Sequence, residues 1–233
     1  NIHERRITSN FLVSIALGLF LIAMLNVWAA IILGYTLLYV INRYSKFLTV
    51  PLNLLVAFFL AKMNFYRPPS GDLIVYYDWY ELISRGDFDF SFLWREPFLF
   101  YLMRISTQFA ISKEFFLFII TLISYLVLFH SFNRFCRRYD LGPRAYIFVH
   151  TFLAFNWFIF NSSSHLIRQY LAGVLLIYGI ASFGLVRKYF AFAFAPFFHA
   201  SVVMPLSLYL CFSIWKQKFR AKILFIIIFF LTV

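Results

Sequence analysis

Apolar positions run almost unbroken along this chain, and the polar interruptions between them mark out its elements. Phe11 to Ile41 is apolar for about 31 residues, which as a single helix extends roughly 46 Å at 1.5 Å per residue. That is one strongly tilted span or a broken pair, with Asn26 and Gly34 as the break points. Phe47 to Met63 follows, with Pro51 in its first turn, where a missing backbone donor does no harm. Pro97 to Ile111 is short and amphipathic. Tyr101, Arg104 and Gln108 share one helical face, and Phe98, Leu102, Ile105 and Phe109 share another. Such a segment lies at an interface or lines a cavity. Glu114 to Asn133, Ala145 to Phe160, His165 to Leu185 and Tyr189 to Trp215 then recur as apolar runs. Together these predict an all-α, polytopic integral membrane protein with about 7–8 membrane helices, read as one transmembrane domain over residues 1–233. The final run, Ile223 to Val233, is too short to span, and the first residue is Asn rather than Met, so the expectation is a fragment.

Composition agrees with the pattern. Hydrophobic residues make up 63% of the chain and charged residues 13%, against roughly 25% charged in soluble domains. The 15 Tyr and 5 Trp suit interface belts. The net charge of +12 raises the question of nucleic acid. But the basic residues fall in short clusters between apolar runs, at Arg5-Arg6, Arg43 to Lys46, Arg134 to Arg144, Arg187-Lys188 and Lys216 to Lys222. That is the layout of positive-inside loops, which also attract anionic lipid headgroups. With no basic domain outside the membrane, no nucleic-acid partner is expected. Cys136 and Cys211 stand far apart and give neither a disulfide framework nor a metal spacing.

One stretch departs from the apolar background. Tyr66 to Pro97 holds six of the nine acidic residues: Asp72, Asp78, Glu81, Asp87, Asp89 and Glu96. Ionised groups are costly to strip of water, so residues 66–97 form an extracytoplasmic loop with short amphipathic helices or line a wet cavity. Asp72 and Tyr76, four apart, share one helical face, while Asp78, Glu81 and Arg85 form another that also reads as a salt-bridged solvent face. Arg67, two prolines and Gly71 lead stiffly into Asp72. In Arg95-Glu96-Pro97, Glu96 either works in a site or simply favours the helix dipole beside a first-turn proline.

A basic counterpart comes about seventy residues later, where Asn161-Ser-Ser-Ser-His165 opens an apolar run and Arg168-Gln169 follow. Arg168 shares a face with Ala172, Leu175, Gly179 and Ser182. A small-residue face packs on protein, which turns the arginine inward, as an anion site at a helix start with His165 nearby. The alternative is an arginine snorkelling to the interface. His199 lies in a second apolar context and reads as a site residue or a hydrogen-bonded core histidine; His130 and His150 sit near run ends. No HExxH and no Cys/His cluster occurs, so no metal is expected.

Orientation does not resolve cleanly. With the acidic loop outside and Pro97 to Ile111 not crossing, Arg134 to Arg144 and Arg187-Lys188 fall inside. Lys216 to Lys222 then falls outside unless the Pro196-containing segment is broken.

Arg67, Gly71-Asp72 and Tyr76, then Arg95-Glu96-Pro97, Arg168-Gln169-x-x-Ala172, and Phe198-His199-Ala-Ser201 resemble the motifs of the EpsG/Wzy-type family of bacterial polysaccharide polymerases. The order agrees from about Lys62 to Pro205, although here Gly71 directly precedes Asp72. The resemblance implies a membrane glycosyltransferase that joins oligosaccharide repeats carried on polyprenyl pyrophosphate, at the outer face of the bacterial cytoplasmic membrane. It implies no cofactor, and as partners the lipid-linked oligosaccharide, membrane lipids and other polysaccharide-assembly membrane proteins. In that scheme Asp72 or Glu96 is the catalytic base. Arg67, Tyr76, Arg95, Asn161, His165, Arg168, Gln169 and His199 bind pyrophosphate or sugar. Two other classes compete. A transporter or flippase of lipid-linked sugars uses intramembrane charge as readily, though no inverted repeat is visible. A lipid-phosphate phosphatase matches Pro69-Ser70-Gly71 and the Arg144 to His150 spacing, but has Asp72 where a histidine is required.

Overall fold

A computed structural model describes residues 13–22, 26–41, 46–88 and 97–214, and every regular element among them is helical. In chain order these are α1 (Val13–Ile22), α2 (Val27–Ile41), α3 (Lys46–Phe65), α4 (Asp72–Arg85), α5 (Pro97–Gln108), α6 (Lys113–Arg138), α7 (Pro143–Phe155), α8 (Trp157–His165), α9 (Ile167–Ala181), α10 (Leu185–Phe198), a 3-10 turn (Ala200–Val202) and α11 (Val203–Ile214).

Only two of these, Leu48–Phe65 within α3 and Lys113–Arg138, are long and apolar enough to cross a membrane alone. The predicted seven or eight full spans are not reached among the described residues, because three of the apolar runs are divided and others form helices too short to cross. Asn26 breaks the first: its side chain accepts from the Ala29 N–H at 3.1 Å and caps α2. Gly34, the other expected break, lies inside α2. Its missing side chain lets Leu52 of α3 approach, since a Cβ there would come within 2.8 Å of Leu52 Cδ2. Ala145 to Phe160 is divided at Asn156, whose side chain accepts from Ile159 N–H at 2.9 Å and starts α8. Tyr189 to Trp215 is divided at His199, whose extended backbone (φ −160°, ψ 129°) ends α10 three residues after Pro196. The Pro196-containing run is therefore interrupted at His199.

Between α8 and α9 a single residue, Leu166 (φ −121°, ψ 44°), interrupts the helix. The serines just before it explain why. Ser162, Ser163 and Ser164 each return a hydroxyl to a backbone carbonyl, of Phe158 at 2.9 Å, Phe160 at 2.6 Å and Asn161 at 3.1 Å. Such bonds compete with helix continuation and bend it. The serine run thus ends α8 instead of opening α9, and Arg168 is the second residue of α9 rather than one turn inside a longer helix.

Helix α9 is the centre of the bundle. One side, with Tyr170, Val174 and Ile177, packs into a core built from α2, α3, α6, α7 and α8. Its other side, with Ala172, Leu176 and Ile180, packs on α10 and the turn after it. Gly179 meets α10 directly: a Cβ there would lie 2.5 Å from Phe192 Cε1. The small-residue face therefore does pack on protein. A third core joins α4 and α5 to the first half of α6 and to Ile167. On α5 the buried residues are Leu99, Phe100 and Met103. The apolar face expected from Phe98, Leu102, Ile105 and Phe109 is split, with Phe98 among the rings of Phe194, Phe197 and Phe198 while Ile105 and Phe109 stay exposed.

Candidate functional site

The end of the bundle where α3 finishes and α6 begins gathers most of the polar side chains singled out above. Asn64, in the last turn of α3 and fully buried, donates through Nδ2 to Thr121 Oγ1 at 2.9 Å and to Ser163 Oγ at 2.8 Å. Ser163 gives its own proton to the Phe160 carbonyl, so it receives from Asn64 and fixes which way the amide points. This one residue ties α3, α6 and α8 together. Its signal in the sequence was an amide one position beyond the run ending at Met63, and it was missed.

Arg67 lies two residues past α3. Nη1 donates to Ser164 Oγ at 2.7 Å and Nη2 to Asn161 Oδ1 at 2.6 Å. The guanidinium also lies 5.9 Å from the Trp157 ring centroid and 5.6 Å from that of Phe160. Burial lowers its proton affinity, but a guanidinium stays charged at any ordinary pH. Arg67 and Asn161, predicted as ligands of substrate, are thus first of all ligands of each other.

The chain then crosses the end of α8. Gly71 adopts φ 54°, ψ −134°, a region that side-chain-bearing residues avoid, and a Cβ there would come to 3.4 Å from His165 Nδ1. Asp72 follows as the first residue of α4, exposed to solvent. His165 is half-buried, and its proton affinity is lowered. Burial is the main cause and the Arg67 charge the second, while Asp72 and a backbone hydrogen bond to Ser70 oppose them.

From Asp72 one face of α4 continues through Tyr76 to Trp79. Tyr76 is buried and packs edge-on against Trp79, centroids 5.4 Å apart, and the Arg168 guanidinium lies 5.5 Å from the Trp79 centroid. Arg168 therefore faces α4, not the surrounding lipid. Trp79 was not foreseen; three residues beyond Tyr76, it continues the Asp72–Tyr76 stripe. Gln169 is half-buried in the same first turn of α9. His199 ends α10, whose Ala195 and Phe198 share a core with Ala172 in the first half of α9.

Other assignments fall elsewhere. Arg95, Glu96 and Asp89 lie outside the described residues. Asp78 is exposed, and Glu81 pairs with Arg85 at 3.6 Å and with Lys113, the expected salt-bridged face. His150 is fully buried, bonded to Asn133 Oδ1 at 3.1 Å and stacked on Phe129, as a core histidine; His130 is exposed. Among the described residues no group of three or more His, Cys, Asp or Glu gathers as a metal site.

Broken helices around a buried polar hub, in a chain this apolar, define an all-helical membrane protein with a polar site at one end of its bundle. The model of the EpsG family matches residues 50–233, and the chain belongs to that family. Membership points to a role in polysaccharide polymerisation. No curated protein and no solved structure matches the chain.

Proposed function

We propose that the protein is a membrane glycosyltransferase that polymerises oligosaccharide repeats carried on polyprenyl pyrophosphate. Its site faces outward from a bacterial cytoplasmic membrane, within a single transmembrane domain. Support comes from the family match and, in the molecule, from one observation. Arg168 lies over the Trp79 ring, on the face of α4 that runs back through Tyr76 to Asp72, and the Gly71 that leads into Asp72 passes His165 beside the Arg67 brace.

The chemistry asks for two things. An acceptor hydroxyl loses a proton as it attacks an anomeric carbon, which calls for a positioned base. A pyrophosphate leaves, and its developing charge calls for fixed positive groups. Arg168 supplies that charge at the N-terminal, positive end of α9, with Gln169 next in the chain and His199, past the end of α10, as donors to phosphate or sugar. Trp79, half-buried beside Arg168, offers its ring to a sugar, and the buried Tyr76 packs behind it. Asp72 brings the carboxylate; Glu96 and Arg95 keep the roles given by the family resemblance. Arg67 and Asn161 hold the end of α8 in place.

The test supplies membranes containing the full chain with the polyprenyl-pyrophosphate-linked oligosaccharide extracted from cells lacking it, and resolves products on a gel. A ladder of lengthened products that disappears in Arg168→Ala and Asp72→Asn supports the assignment. Movement of the donor across the bilayer without lengthening marks a transporter instead, and an undiminished ladder in both variants removes both residues from the site.

A further inference from the structure

We propose that the end of the bundle away from the polar site binds an anionic phospholipid, its phosphate held by Arg134 and Arg138 and its apolar part lying along Phe183, Leu185 and Val186. This needs only that the chain spans a membrane. It is read by lipid binding, so it can fail while the glycosyltransferase function stands, and the reverse.

Helix α6 measures the distance between the two ends. Its 26 residues run from Lys113, at the end that carries the polar site, to Arg138. That is about 39 Å at 1.5 Å per residue, against a hydrocarbon core of about 30 Å, so Arg134 to Arg138 meet the opposite interface. Helix α9 ends at the same level, because Arg138 donates through Nη1 to the Ile180 carbonyl in its last turn at 3.2 Å. Residues 130–144 and 180–192 bring six cations to this end, Arg134, Arg137, Arg138, Arg144, Arg187 and Lys188, with Asp140 as their one carboxylate.

Aromatic rings hold several of these cations in place. Arg134 and Arg138, one turn apart on α6, both lie over the Phe183 ring, 5.4 and 5.9 Å from its centroid. Arg144 lies over Tyr39 at 5.6 Å, and Lys188 over Tyr209 at 5.2 Å. Among the described residues none of the six makes an ion pair. A ring orients a cation without cancelling its charge. Like charges therefore stay crowded at the edge of a low-dielectric medium, where a counter-anion is strongly favoured. Two guanidiniums brought to one ring offer the planar, forked donors that suit a phosphate. The surroundings decide what carries that phosphate. Phe183 is 57% exposed, Leu185 67% and Val186 83%, an apolar ledge beside the charges. A free phosphate leaves that ledge bare, whereas a phospholipid covers ledge and charges together. Basic clusters mark the cytoplasmic side, and anionic headgroups give that leaflet its negative surface potential.

The experiment titrates the full chain, purified in a neutral detergent, with phosphatidylglycerol in mixed micelles and reads the rise in unfolding temperature. Phosphatidylcholine and inorganic phosphate are titrated alongside. Phosphatidylglycerol should raise the unfolding temperature to a plateau, and the other two should leave it in place. The phosphatidylglycerol needed for half the rise should increase about fivefold in Arg134→Gln and about 25-fold in Arg134→Gln, Arg138→Gln. It should keep its wild-type value in Arg85→Gln, which removes the same charge at the other end of the bundle. Arg138→Gln also gives up the bond to Ile180, so if the double variant does not fold, Arg134→Gln carries the test by itself. A wild-type titration in the Arg134 variants overturns the site, as does an equal weakening in Arg85→Gln, which makes the attraction one of net charge alone. A plateau reached with phosphatidylcholine, or with inorganic phosphate at matched concentration, overturns the anionic lipid as the occupant.

Discussion

Replacing Arg67 by alanine separates two roles that look alike in sequence, a ligand for substrate and a brace within the protein. Alanine removes two hydrogen bonds from a charged donor, at 2.7 Å to Ser164 and 2.6 Å to Asn161. Bonds of this kind are each worth about 1.5–3 kcal/mol, a range to be taken at its low end because the group is only partly withdrawn from water. The Trp157 and Phe160 ring contacts add about 0.5 kcal/mol apiece. The sum is a loss of about 3–4 kcal/mol, or roughly 6–16 °C in unfolding temperature for a chain of this size. Lysine, which cannot fork to both acceptors, should recover about half of that. The assay is thermal unfolding of the detergent-solubilised full chain, run beside ladder formation. An Arg67→Ala variant that unfolds within 1–2 °C of wild type yet makes no polymer refutes the brace and returns Arg67 to the substrate. A double-mutant cycle of Arg67→Ala with Asn161→Ala should show coupling of about 1 kcal/mol or more.

Other outcomes follow from the same geometry. Gly71→Ala forces a side chain into φ 54°, ψ −134°, at a cost of about 1–3 kcal/mol; because the strain sits beside His165, ladder formation should fall further than stability does. Asn64→Leu removes the buried donor that Thr121 and Ser163 share and should lower stability by about 2–3 kcal/mol, read by thermal unfolding. Gly179→Ala places a Cβ 2.5 Å from the Phe192 ring, and pushing α10 off α9 should cost about 1–3 kcal/mol; Gly179→Ala, Phe192→Leu should recover part of it. His165 has a lowered proton affinity in the folded protein, so the unfolded chain takes up its proton first on acidification. Its contribution to stability is complete above about pH 6.5 and drains away as pH falls through the folded value. Unfolding temperatures measured from pH 7.5 to 5 should therefore decline less in His165→Gln than in wild type.

Membrane character, helical class and family motifs were legible in the chain because each is local. Apolar content, helical spacing and the stiff approach to Asp72 need no partner to be recognised. One break was visible too, at Asn26, since a cap acts within a turn. The serine run before Arg168 was legible as polar but misassigned, because hydroxyls can open one helix or end another, and the choice depends on which carbonyls they reach. Tertiary structure alone decided the rest. Arg67 and Asn161 are 94 positions apart, Asn64 and Ser163 are 99 apart, and no periodicity links them. Gly71 read as a turn residue, and its positive φ bears this out, but only the fold brings that turn against His165. Packing set these pairs, through long-range contacts whose energies exist only once α3, α4, α6, α8 and α9 share one end of the bundle.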